Sequence, residues 1–271
     1  MATTERTRLN QHLIAAQTLL FRSISGGLFE LMPTWVRGYS GLELPIFNIF
    51  MPTTPAGLSD DTLADTAAFF FSRQSMYAVE IMHDLIPEGP DFLYQRHYTP
   101  LPPQPAMVLR NLPTSLSPTG SITVCRVTTV PELTAFCSIQ NNVFDFDLRD
   151  LRKRFPVHHL KEDRISHYLA FIDEQPVATG SFICTDGVAS LWNVCTIDTF
   201  RRQGAATAVL QQMLVDIWQR GGKLAMLYAT AQAFHFFSKF GFTIYSQRQW
   251  FLPPSIDFAD DADDAEETGL P

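Results

Sequence analysis

The sequence predicts an α/β fold, and three observations predict it. A strand-like run at residues 189–196 feeds a glycine-containing turn, and the turn opens a helix-like run at 207–220. A short apolar strand, 224–229, follows that helix, so strand, helix and strand alternate as in a layered sheet. The same order recurs upstream, where strand-like runs at 44–51 and 77–83 flank a capped helix at 59–73.

The turn, Arg201-Arg202-Gln203-Gly204-Ala205-Ala206, speaks most directly to chemistry. A turn that opens a helix straight after a strand presents unpaired backbone N–H groups and the positive end of the helix dipole to one point. That point suits a pyrophosphate. Arg201 and Arg202 add bidentate cationic partners, while Gly204 and the two alanines let the backbone approach an anion closely.

The neighbouring elements follow from periodicity and punctuation. Residues 121–128 alternate as a strand, 130–143 and 148–155 read as helices, and 166–173 as a second strand. Asp173 to Pro176 make a turn, 177–185 a third strand, and Asp186-Gly187 a hairpin into the strand that delivers the anion turn. The long helix carries Ala206, Val209, Leu210, Met213, Leu214 and Ile217 on one face and stops at Gly221-Gly222, a pair suited to a left-handed cap. A shorter stripe of Ala233, Phe234, Phe236, Phe237 and Phe240 ends at Gly241-Phe242, and 242–252 reads as the last strand.

This order, with Arg201-x-x-Gly204-x-Ala206 after the strand and Phe237-Ser238-Lys239-Phe240-Gly241-Phe242 after the short helix, resembles the GNAT (GCN5-related N-acetyltransferase) superfamily of acyl-CoA-dependent N-acyltransferases. The resemblance covers residues 120–253. It implies the GNAT fold, a mixed central sheet flanked by helices, and acetyl-CoA as co-substrate. It also implies a primary amine of a small molecule or peptide as the directly attacking acceptor. By the resemblance, the pantetheine arm runs along the backbone of Val194, Cys195 and Thr196, and an amide near Val194 or Cys195 polarises the acyl carbonyl. The pyrophosphate rests on the amides of Arg202, Gln203, Gly204, Ala205 and Ala206, with Arg201 beside them and Phe237 near the sulfur.

At 271 residues with 46% hydrophobic content, the chain exceeds one ordinary domain and is rich enough for two cores. The expected division is 1–115, 120–253 and a tail at 254–271. The proline-rich stretch 100–118 reads in part as a connection, although 106–112 also fits a closing strand of the first unit. The N-terminal unit is either a degenerate, smaller GNAT-like half or an unrelated α/β cap. Its first strand is followed by Pro52-Thr53-Thr54-Pro55-Ala56-Gly57 and lacks the arginine and glycine turn, so no second cofactor site is expected there.

The charge balance points away from nucleic acid as a partner. Of 28 acidic residues, seven (Asp257, Asp260, Asp261, Asp263, Asp264, Glu266, Glu267) lie in the tail, leaving 21 against 20 Lys and Arg. The tail is expected to be a disordered, solubilising end, with a partner site or a gate for a cationic substrate as the alternative. No stretch reads as a signal peptide or membrane span, because the amphipathic start, with Leu9, Leu13, Ala16 and Leu20 on one side, is broken by Gln17 and Thr18. Cys125, Cys137, Cys184 and Cys195 have no C-x-x-C pairing and read as reduced thiols of a cytoplasmic protein. The adjacent pair His158-His159 lacks a third ligand at suitable spacing, so no metal is assigned.

Acyl transfer to an amine needs a route for the amine proton, a donor to the acyl oxygen and an acid for the departing thiolate. Many family members carry that acid as a tyrosine four residues before the glycine of Gly-Phe. Here the position is Phe237, which has no proton to give. Residues 188–196 also lack the carboxylate some members use as base. Tyr228, Ser238 and Asn193 are the substitute catalytic candidates, with His167 and His235 behind them. Each has a plain structural alternative, as a strand-edge, helix-surface or buried polar residue. Asp145, Asp147 and Asp150 suit a cationic amine or, equally, helix caps. Three functions stand against one another: an N-acetyltransferase, a non-catalytic acyl-CoA-binding sensor or scaffold, and a different phosphate-binding α/β module.

Overall fold

The computed structural model describes residues 3–116 and 120–254, whose strands join in one sheet. The acidic run at 257–267 lies outside the described residues. In chain order the elements are α1 (Thr3–Ser23), β1 (Leu28–Leu31), β2 (Trp35–Tyr39), β3 (Ile49–Pro52), α2 (Asp60–Phe71), β4 (Ala78–Met82), α3 (Gly89–Tyr94), β5 (Thr99–Pro100) and β6 (Gln104–Leu109). Then follow β7 (Thr123–Arg126), α4 (Val130–Phe144), α5 (Leu148–Arg154), β8 (Ile165–Ile172), β9 (Gln175–Thr185), β10 (Val188–Thr196), α6 (Ala205–Gln219), β11 (Leu224–Tyr228), α7 (Ala231–Lys239) and β12 (Thr243–Leu252).

The strands run in the order β1-β2-β3-β4-β12-β6-β11-β10-β9-β8-β7, with β5 added to β12. The last strands of the two expected units are exchanged. β6, from the stretch that reads partly as a connection, pairs β11 on one side (Tyr228↔Ala106) and β12 on the other (Arg248↔Gln104). β12, from the end of the second unit, pairs β4 of the first (Trp250↔Glu80). Each unit thereby completes the other's sheet, and their backbone ladders cannot be separated without exposing unpaired amides.

The N-terminal half differs from expectation in detail. The strand expected at 44–51 is split, because Pro45 has no N–H for a ladder and opens a single 3-10 turn over Pro45–Phe47 before β3 begins. The hairpin β1–β2, closed by a turn in which Met32 N–H donates to the Trp35 carbonyl at 2.9 Å, has strands of four and five residues and little alternation to betray it.

Helices cover both faces. Pleating sends Glu80, Arg248, Gln104 and Tyr228 to the face under α1, and Val79, Ile81 and Phe251 to the face under α2 and α3. The apolar side of α1 is buried at Leu9, Leu13 and Ala16. On the opposite face α6 buries Val209, Leu210, Met213, Leu214 and Ile217, each contributing about 1.5–3 kcal/mol. Gly180 of β9 lets α6 sit this close, since a Cβ there would meet Val209 Cγ1 at 2.5 Å and Met213 Sδ at 2.9 Å. Among the described residues, no helix is long and apolar enough to cross a membrane.

Candidate active site

The parallel pair β10–β11 is in register at Val188↔Leu224, Ala189↔Ala225 and Ser190↔Met226, and no pair follows. Where the strands part, a cleft of about 880 Å³ opens, lined by both halves of the chain. One end of it is the N-terminus of α6. Gly204 caps the helix at φ 96° with no side-chain acceptor, and Arg202 precedes it at φ 63°. Among the described residues, the backbone N–H groups of 202–207 have no partner. The first turn of α6 carries no acid to meet its dipole. This is an anion cradle by geometry.

The expected cofactor residues meet here with one exception. Val194, Cys195, Thr196, Arg201, Arg202, Gly204, Ala205, Ala206 and Phe237 all line the cleft. The Gln203 side chain does not line it, because its amide donates to the Thr199 carbonyl at 3.4 Å. Arg201 is held by Asp198 at 2.6 Å, and Arg202 is exposed.

Beside the cradle, β10 is interrupted. Its register against β9 shifts between Trp192 and Cys195, leaving 193 and 194 out of the ladder, and Asn193 adopts the left-handed φ of 58°. The Asn193 carbonyl is pulled inward, accepting from Thr179 Oγ1 at 2.8 Å and Gln140 Nε2 at 3.1 Å. Cys195 is an unsuitable nucleophile, since burial pushes its thiol up to about 11 and Gln140 and Thr179 lie within 3.3 Å of the sulfur.

The Asn193 side chain begins a buried chain of hydrogen bonds whose direction can be deduced. Ser23 Oγ donates its one proton to the Leu20 carbonyl at 2.6 Å, so it must accept from His159 Nε2 at 2.8 Å. Burial keeps both histidines neutral, drawing His159 down to about 4 and His167 to about 3. A neutral His159 then accepts at Nδ1 from His167 Nε2 at 3.3 Å, and His167 accepts at Nδ1 from Ser181 at 2.8 Å. Ser181 therefore accepts from Asn193 Nδ2 at 3.4 Å. The amide orientation follows: Asn193 Oδ1 is the group left for the cleft, without a partner among the described residues.

Two catalytic candidates stand differently from expectation. The Ser238 hydroxyl donates to the Phe234 carbonyl at 2.9 Å within α7 and lies off the cleft. Tyr228 lines the cleft, but its hydroxyl turns across the sheet to Met82 Sδ, 3.6 Å away on β4, and burial raises it well above its ordinary range. Its ring lies between Trp192 of β10, at 6.3 Å, and the Arg248 guanidinium, at 3.7 Å. His235 lines the cleft and is exposed. Asp147 caps α5 and pairs Arg149, Asp150 lies 3.8 Å from Lys153, and Asp145 ends α4 in the left-handed region. Among the described residues, no three His, Cys, Asp or Glu side chains gather as metal ligands.

The cleft also contains polar residues that sequence reasoning missed. Glu80 and Arg248, both buried, form a 3.5 Å ion pair on the cleft floor. Arg248 is sandwiched 3.7 Å from the Tyr228 ring centre and 4.1 Å from that of Trp250, and its guanidinium donates to Gln104. Burial pushes the Glu80 carboxyl above its usual range against the pull of Arg248, and Gln17 of α1 donates to it at 3.4 Å. Glu80 Oε1, Arg248 Nε and Trp250 Nε1 are buried without a hydrogen-bond partner. The signal was a lone carboxylate inside the apolar strand Ala78–Met82.

Comparisons with known proteins agree with this architecture. Residues 163–244 match the acetyltransferase (GNAT) domain family model. The fold resembles a GCN5-related N-acetyltransferase from Kribbella flavida over 91% of this chain and 96% of that one, at 18% identity and a TM-score of 0.72. A GCN5-related N-acetyltransferase from Sphaerobacter thermophilus matches over 84% of each chain, at 15% identity and a TM-score of 0.58. A tandem GNAT protein from the clavulanic acid biosynthesis pathway matches over 82% of this chain and 80% of its own, at 12% identity and a TM-score of 0.56. No curated protein matches the sequence. The mixed sheet with its flanking helices is the GNAT fold.

Proposed function

We propose that the protein is an acyl-CoA-dependent N-acyltransferase that moves an acetyl group from acetyl-CoA to a primary amine. The observation that carries the reading is the run of unpartnered amides at 202–207 beside a parted strand pair. Those amides, with Arg201 and Arg202, suit a pyrophosphate, and the free edge of β10 at Val194 to Thr196 suits an extended amide-bearing arm. Acetyl-CoA supplies an activated acyl carbon. The N–H groups beyond the bulge, near Val194 and Cys195, meet the charge that develops on the acyl oxygen.

Asn193 Oδ1 accepts an N–H of the attacking amine and aims its lone pair, and the Ser181–His167–His159–Ser23 chain prevents the amide from turning over. As the C–N bond forms and the C–S bond breaks, the amine proton passes to solvent through the open cleft and the thiolate takes a proton from water. Phe237 lies at the tyrosine position, is buried and packs 5.8 Å from Phe242, so rate rests mainly on positioning.

The same phenylalanine favours the second reading, a non-catalytic acyl-CoA binder. Thiol release from acetyl-CoA against a panel of amines, for the wild type and Phe237→Tyr, separates them. Turnover by the wild type, rising by about tenfold or more in the tyrosine variant at unchanged acetyl-CoA affinity, supports the enzyme. Binding of acetyl-CoA with no turnover in either protein supports the binder, and absence of binding removes both.

A further inference from the structure

We propose that the acceptor carries a carboxylate beside its amine, and that Arg154 is the group that holds it. The inference rests on the acyltransferase reading for the word acceptor, but the anion subsite stands on its own geometry. Arg154 is the last residue of α5 and lines the cleft on the side away from the α6 cradle. Its guanidinium lies 4.2 Å over the ring of Phe47, in the 3-10 turn of the N-terminal half.

Among the described residues, no carboxylate and no carbonyl accepts a hydrogen bond from Arg154. Of the acids of the adjoining α4–α5 segment, Asp147 pairs with Arg149 and Asp150 with Lys153, and Asp145 makes no ion pair with Arg154 among the described residues. Arg152 and Lys153, its neighbours in the same helical turn, are exposed. Burial draws the guanidinium down to about 10, the direction expected of a cation removed from water with no anion supplied in return. A planar fork of donors facing a cleft in this state matches a carboxylate bidentately.

The rest of the wall describes the body of that acceptor. Phe146 meets Phe47 edge-on at 5.5 Å and stacks with Phe144 at 5.5 Å, while Trp192 meets Tyr228 at 6.3 Å on the opposite side. These rings favour an apolar, preferably aromatic, scaffold. The cleft wall therefore suits an amine and a carboxylate on one apolar body, as in an apolar amino acid.

Calorimetry with 3-phenylpropionate and with its uncharged amide, on the wild type and on Arg154→Met and Arg154→Lys, tests the subsite without requiring turnover. The wild type is expected to bind the acid about 10–100-fold more tightly than the amide. Arg154→Met should erase the preference at unchanged acetyl-CoA affinity and melting temperature, and Arg154→Lys should restore part of it. In the thiol-release assay, wild-type kcat/KM should favour phenylalanine over phenethylamine, with the preference lost in Arg154→Met.

Equal binding of acid and amide, or a preference that survives Arg154→Met, overturns the proposal. A fall in acetyl-CoA affinity in Arg154→Met also overturns it, because Arg154 then serves the cofactor. Arg154-dependent binding of the acid with no amine turned over leaves the anion subsite standing and removes the acyltransferase reading.

Discussion

The chain contains the same local construction twice, a strand parted from a parallel neighbour and followed by a turn and a helix, and only one copy is open to an anion. In the N-terminal half, β3 pairs with β4 at only two positions before α2 begins. There Ser59 accepts from the Thr62 amide while Thr62 accepts from the Ser59 amide, and Asp60 and Asp61 occupy the first turn. The capping box uses the amides and the carboxylates meet the dipole, so an incoming phosphate finds neither donors nor positive potential. In the C-terminal half, α6 starts at Gly204 with no cap, no acid and two arginines. The supply of free donors at this slot of the fold is thus set by capping chemistry. The N-terminal half contributes instead to the cleft wall, through Gln17, Phe47 and Glu80.

The sharpest way to break this division of labour is at the seam. Glu80 belongs to β4 and Arg248 to β12, so Glu80→Ala leaves a buried guanidinium unpaired and is expected to cost about 3–5 kcal/mol. Because the exchanged strands tie the halves together, denaturant unfolding of this variant should remain a single transition. Two separated transitions would show that the halves melt independently.

Acid gives the next effect. His12, His159 and His167 are drawn by burial to about 4, 4 and 3, below the ordinary 6.5. The unfolded chain therefore binds more protons than the folded one between these values and 6.5. Stability is full above about pH 6.5 and falls with decreasing pH by about 1.4 kcal/mol per unit for each histidine. Thermal melts from pH 8 to 5 should show this loss, and a flat profile between 6.5 and 5 contradicts neutral buried imidazoles.

Within the C-terminal half, Ser181→Ala frees the Asn193 amide to turn over. The expected result is a drop in kcat of about tenfold or more with the acetyl-CoA affinity and the KM for amine little changed. An equal loss in acetyl-CoA binding would make the chain merely structural. The smallest effect is at the closed copy. Ser59→Ala should cost about 1 kcal/mol of stability by chemical denaturation and leave acetyl-CoA affinity as it was.

Legibility in the sequence followed the range of the forces involved. The turn that opens α6 was readable because Gly204 acts through local backbone geometry, and α6 because its apolar stripe repeats at helical spacing. The cap of α2 at Ser59 was readable for the same reason. What arises between distant strands was not. Glu80 and Arg248 meet only because β12 crosses to β4, and no local pattern announces that exchange. Tyr228 was correctly placed on a strand facing the cleft, yet its ring direction is set by packing against Met82 and Arg248. His158-His159 looked like a pair, but only His159 turns inward, and its partner is His167.

The comparison reduces to one measurement, calorimetric titration of acetyl-CoA into the wild type, Gly204→Val and Ser59→Gly. At Gly204 a side chain must adopt a φ of 96°, with its Cβ 3.3 Å from Ile122, and stand where the anion approaches. The account predicts that Gly204→Val loses affinity by about 100-fold or more while remaining folded, and that Ser59→Gly binds as the wild type does. Unchanged affinity in a folded Gly204→Val protein would contradict it.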